Sequence, residues 1–149
     1  MGWEPHQKDL VLILARDMAA RLATPMFVVD SVGTLVFFNE AAEALLGQTF
    51  SEIGEVPADH WAETFRSVEP DGTPIPRQDL PIGIALLEGR PAHRELDLIA
   101  ADGVQRHLAA TAIPLQRHPT QTVGAVALFW ERSPSDDGPA PATEGEPTA

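Results

Sequence analysis

The sequence contains no cysteine. Disulfide frameworks, thiolate metal sites and cysteine nucleophiles are therefore excluded. It also lacks any apolar run near the roughly 18 residues needed to span a bilayer. Residues 10–14 are apolar, but Lys8, Asp9, Arg16 and Asp17 bracket them. No basic segment leads into the run of about 7–15 apolar residues that marks a secretory signal. A cytoplasmic location is the expectation. Positive charge is scarce: 10 Lys and Arg face 22 Asp and Glu, for a formal net charge of -12. Such a field repels phosphate backbones and anionic lipid, so nucleic acid and membrane surfaces are not expected as partners. Among the few cations Arg greatly outnumbers Lys, and Ala and Pro are plentiful, which hints at a GC-rich bacterial genome.

What remains is enough for one folded unit. The chain has 149 residues, 44% of them hydrophobic, the size and composition of one ordinary domain with one core. Residues 8–23 hold no Gly or Pro. Val11, Leu14, Met18 and Leu22 recur there at helical steps, with Leu10 and Ile13 beside them, which predicts an amphipathic helix. Thr24-Pro25 ends it, because a residue before proline avoids helical backbone. Two short apolar runs, 26–29 and 34–38, flank the turn residues Asp30, Ser31 and Gly33 and read as a β-hairpin. Asn39 stands at the N-cap position of a short helix over 40–46, and Gly47 at its left-handed end.

Residues 50–68 are expected to hold one or two short helices, with Trp61 and Phe65 on one face. Residues 69–76 carry three prolines and Asp71-Gly72, and read as loop. Asp79 is expected to cap a helix over 80–88, stopped by Gly89. From His93 the period changes to strands: 94–99, a tight turn at Asp102-Gly103, 104–115, a polar loop over 116–121, and 122–131. The last of these is apolar on both faces, as a central strand is. Residues 133–149 are acidic and Pro-rich, without Leu, Ile, Val or aromatics, and are expected to be disordered. The division is thus a flanking helix over 1–24, a domain over 25–132 and a tail over 133–149. The fold class is α+β: one five-stranded antiparallel sheet, short helices on one face and the N-terminal helix on the other.

The residues resemble a PAS domain. Phe27-Val28-Val29-Asp30, Gly33, Phe38-Asn39-Glu40-Ala41-Ala42 and Leu45-Leu46-Gly47 look like the opening of that family. Asp71-Gly72, Asp79-Leu80-Pro81, Ala85-Leu86 and Gly89 are similar to its long helix and the approach to it. Glu95, Asp102-Gly103, Arg106, Ala112-Ile113-Pro114-Leu115 and Val123-Gly124-Ala125-Val126 look like its closing strands. The resemblance implies a sensory or protein-interaction module and not an enzyme. It implies a homodimer built on the flanking helix through Leu10, Val11, Leu14, Met18 and Leu22. No output module accompanies the domain, so the signal passes to a protein partner in trans or to an output domain outside this sequence.

The chemistry-bearing residues are dispersed. His6, His60, His93, His107 and His118 show no metal-ligand spacing. Some PAS domains bind heme through a His on the helix before the closing strands. Residues 80–88 have none, so heme is not expected. The cysteine-adduct flavin of light-sensing relatives is excluded, and noncovalent flavin is not expected. Asp59-His60 and Asp71 read as a helix start and a turn, and Arg90, Arg94 and Arg106 as solvated charge. A small apolar ligand would lie between sheet and helices. The strand residues expected to line it are Phe27, Val29, Phe37, Leu96 and Leu98, with Ile113, Val126 and Leu128 from the last two strands. From the helical side come Leu45, Phe50, Trp61, Phe65, Ile82 and Leu86. Two alternatives stay open: a filled-core structural module, and a cone-shaped isomerase or dehydratase needing an inward acid–base pair.

Overall fold

The computed structural model describes residues 10–100 and 102–132. The expected disorder of 133–149 falls outside them, as does the loose start. Helix α1 (Leu10–Ala20) is followed by the hairpin β1 (Met26–Asp30) and β2 (Leu35–Phe38). Three short helices come next: α2 (Glu40–Leu46), α3 (Phe50–Ile53) and α4 (Ala58–Thr64). A short strand β3 (Arg66–Val68), a 3-10 turn (Arg77–Asp79) and α5 (Pro81–Glu88) lead to three long strands. These are β4 (Ala92–Ile99), β5 (Gln105–His118) and β6 (Gln121–Glu131). All the strands form one antiparallel sheet in the order β2-β1-β6-β5-β4-β3.

The sheet has six strands, not five. Residues 66–68 were expected within helix. They pair instead with β4, Arg66 opposite Ile99 and Val68 opposite Asp97. The physical reason is that Phe65 ends α4 in extended backbone, and β4 offers an open edge to the residues that follow. Two other expectations change in detail. Asp79 does not cap α5: Leu80 holds the N-cap position, Pro81 opens the helix and no side chain caps it. Proline at the first helical position removes one of the helix's four unpartnered N–H groups. The expected polar loop over 116–121 is a tight turn, because β5 runs on to His118, which pairs with Gln121.

The opening of the domain follows its sequence closely. Asn39 accepts from the Ala42 amide at 3.0 Å as N-cap of α2, and Gly47 ends that helix at φ 77°, a conformation glycine adopts without a Cβ penalty. Thr49 and Glu52 form a reciprocal capping box on α3.

The sheet separates two apolar layers. On one face α2–α5 cover a core that includes Phe27, Phe38, Leu46, Trp61, Leu96 and Phe129. On the other, α1 lies against Met26, Val28, Val36 and Val126 through Leu12, Ala15 and Ala19. This is the placement expected for the helix, with a different contact stripe. The small Ala15 and Ala19 bring the helix close to the sheet. Gly124 helps, since a Cβ there would meet the Val29 carbonyl oxygen and stand 2.8 Å from Leu12 Cδ2.

Candidate functional site

Two places qualify by construction: the space between sheet and helices, and the outward side of α1. In the first, Phe27, Val29, Leu45, Trp61, Phe65, Ile82, Leu96 and Leu98 are buried together, with Phe50 and Leu86 partly buried against them. Four residues expected there are elsewhere. Val126, Leu128 and Phe37 lie with the α1 layer, and Ile113 is 47% exposed. Strand parity explains it. Ala125, Ala127 and Phe129 of β6 face the helices, so the alternate residues Val126 and Leu128 face α1. Ile113 is paired with Val126 and follows it. On β2 the register shifts opposite Val28 and Val29, and Phe37 packs edge-on to Phe50 at 5.3 Å with the Arg16 guanidinium of α1 over its ring.

Among Phe27, Trp61, Phe65, Leu80, Leu96 and Phe129 a cavity of about 30 Å³ remains. Its lining is apolar apart from Ser67, and so offers a water few hydrogen-bond partners. Trp61 also closes the layer from outside, because its indole N–H donates to the Gly33 carbonyl at 2.9 Å and staples α4 to the β1–β2 turn. Larger spaces lie at the surface. A cleft of about 190 Å³ runs between α4 and α5. Others of about 240 Å³ and 320 Å³ flank Phe65.

Helix α1 carries the second candidate. Leu10, Leu14 and Met18 are 67%, 59% and 51% exposed, and Leu22 beyond the helix is exposed too. Val11 is half-buried. The stripe chosen from the sequence thus points away from the sheet, apart from Val11. The contact stripe Leu12–Ala15–Ala19 has the same helical spacing and was missed, because its small side chains carry little hydrophobic weight.

The polar groups make structural knots. Asn39, buried at 2%, accepts from the Met26 amide at 3.1 Å. Its Nδ2 donates to the carbonyls of Ala19 and Thr24, each at 2.9 Å. One side chain thereby joins the end of α1, the start of β1 and the start of α2. His107 sits between two carboxylates, Nδ1 at 2.8 Å from Asp97 and Nε2 at 3.1 Å from Glu95. Gln105 donates to Asp97 and Arg132 to Glu95, which closes the exit of β6 onto β4 and β5.

Not all the arginines are solvated. Arg94 Nη2 donates to both carboxylate oxygens of Glu69. Arg106 pairs with Asp102 at 3.5 Å but leaves its Nη1 buried without a partner. The Val104 amide holds the Asp102 carboxyl below its ordinary range, with Arg106 assisting. The Thr73 amide does the same for Asp71 in its turn. His60 and Asp59 are exposed on α4, and His93 stacks on Trp130. Among the described residues no group of His, Asp and Glu is arranged to hold a metal ion, and no helix is long and apolar enough to cross a membrane.

No family model matches the sequence, and no curated protein matches it. Solved structures do match the fold. The PAS domain of BvgS from Bordetella pertussis is 16% identical, with a TM-score of 0.55 over 82% of this chain and 85% of that one. The PAS domain of nitrogen regulation protein NR(II) from Vibrio parahaemolyticus is 14% identical, with a TM-score of 0.55 over 80% and 98%. The LOV protein of Rhodobacter sphaeroides is 15% identical, with a TM-score of 0.66 over 87% and 71%. The strand order, the short helices gathered on one face and these neighbours agree: the chain has the PAS fold.

Proposed function

We propose that this chain is a sensory and signal-transduction module that works through self-association on α1, without catalysis of its own. The observation that carries the reading is the outward stripe of Leu10, Leu14 and Met18, each more than half exposed. Contiguous exposed apolar surface of this kind is a mark of an interaction site. The sheet face beside α1 adds Ile113 and Trp130, 47% and 41% exposed. A two-fold pair would let each helix cover such a patch on its partner, the self-complementary arrangement of homodimers.

Coupling to a signal then runs through Asn39. Its amide holds the end of α1 to β1 and α2, so a shift in the helical layer changes what α1 presents. A ligand or partner protein moves that equilibrium only by binding its two states unequally. The receiver is a partner in trans or an output domain outside this sequence.

An NMR dilution series on the whole chain tests the reading. Amide shifts that change with concentration at Leu10, Leu14, Met18, Ile113 and Trp130 are expected. Spectra that do not change with concentration, with mass equal to one chain, would sink it.

A further inference from the structure

We infer that the cleft between α4 and α5 binds a small amphipathic carboxylate of the medium-chain fatty acid type. This goes beyond the self-association reading and does not depend on it. The cleft measures about 190 Å³, and Val29, Ala58, Trp61, Ile82 and Leu86 are among its walls. Its rim includes Val32 and Leu87, which are 75% and 71% exposed. The indole N–H of Trp61 is already committed to Gly33, so the tryptophan offers the cleft an apolar surface. The polar exceptions come from the 3-10 turn, Arg77 and Gln78.

Arg77 gives the cleft its chemistry. The chain carries more than twice as many acidic as basic residues, and the described Arg21, Arg90, Arg94, Arg106 and Arg132 each have an acidic partner. Among the described residues none pairs with Arg77, which is exposed. The turn that carries it is fixed. The Leu80 amide donates to the Arg77 carbonyl at 3.1 Å, and a Cβ on Gly83 would overlap that carbonyl oxygen. Glycine at that position allows α5 to lie directly against the turn, and Arg77 lines the cleft beside its apolar walls.

An unpaired guanidinium beside an apolar trough suits one carboxylate on an apolar tail. A dianion would find a single cation, and an amine would meet Arg77 with like charge. A tail seated along Ile82 and Leu86 loses its water-exposed surface, while the head stays at the wet rim where its charge keeps most of its hydration.

The test is an NMR titration of the whole chain with octanoate, and separately with octanol, which has the tail without the charge. Octanoate is expected to shift the Trp61 indole N–H and the amides of Gly33, Ala58, Ile82 and Gly83. Arg77→Gln, at an exposed site, is expected to weaken octanoate by about tenfold or more and to leave octanol unchanged. Failure of octanoate to move these signals at millimolar concentration would overturn the inference. Equal octanoate affinity in Arg77→Gln, or shifts confined to α1, would overturn it as well.

Discussion

The amide of Asn39 reaches three segments that are not otherwise continuous, and it is buried at 2%. Replacement by Ala removes an N-cap and leaves the buried Met26 amide without its partner. The expected cost is about 2–4 kcal/mol, read as a lower midpoint in chemical denaturation. A loss below about 0.5 kcal/mol, the scale of an ordinary surface change, would show that the junction does not depend on Asn39. Asp102 is a different case, exposed and held below its ordinary value of 3.8 chiefly by the Val104 amide. A depressed carboxyl stabilises the fold above its unfolded value, and that contribution is lost as pH falls through the folded one. The stability gap between the wild type and Asp102→Asn is therefore expected at neutral pH and to close below about pH 4. Parallel pH curves from neutral to strongly acid would contradict this.

At the scale of elements, caps and turns were the most legible features. Asn39, Gly47 and the turn at Asp30 and Gly33 act through local hydrogen bonds and backbone dihedrals, which local sequence specifies. The contact face of α1 was less so. The helix is apolar nearly all round, and the choice between Leu14–Met18 and Leu12–Ala15–Ala19 depends on a sheet that no local pattern describes. The outcome gives a paired expectation. Leu12→Ala should cost about 2–5 kcal/mol through a lost buried contact. Leu14→Glu should leave stability nearly unchanged and act on association. Equal destabilisation by both, in thermal melts at one concentration, would mean that both stripes are buried.

For the whole molecule, the α+β class and the central place of the last strand were readable from the order of elements and the apolar run of β6. The sixth strand was not, because Arg66–Val68 owes its pairing to an open edge of β4 and to little in its own residues. The lining of the interior was readable where strands alternate clearly, as at Leu96 and Leu98. It failed on β6, whose two apolar faces hide their parity. Trp61→Ala is expected to cost about 3–5 kcal/mol and to join the 30 Å³ cavity to the clefts that Trp61 lines. Uptake of xenon or benzene by that variant and not by the wild type would follow. Uptake by the wild type would show that the interior is already open.

The most direct measurement is sedimentation velocity on the whole chain and on Leu14→Glu/Met18→Glu across a range of concentrations. The account predicts a species of twice the 16.1 kDa chain mass for the wild type, and one chain mass for the double variant with its fold intact by circular dichroism. A wild type that sediments as a single chain at every concentration, or a double variant that still pairs, would contradict it.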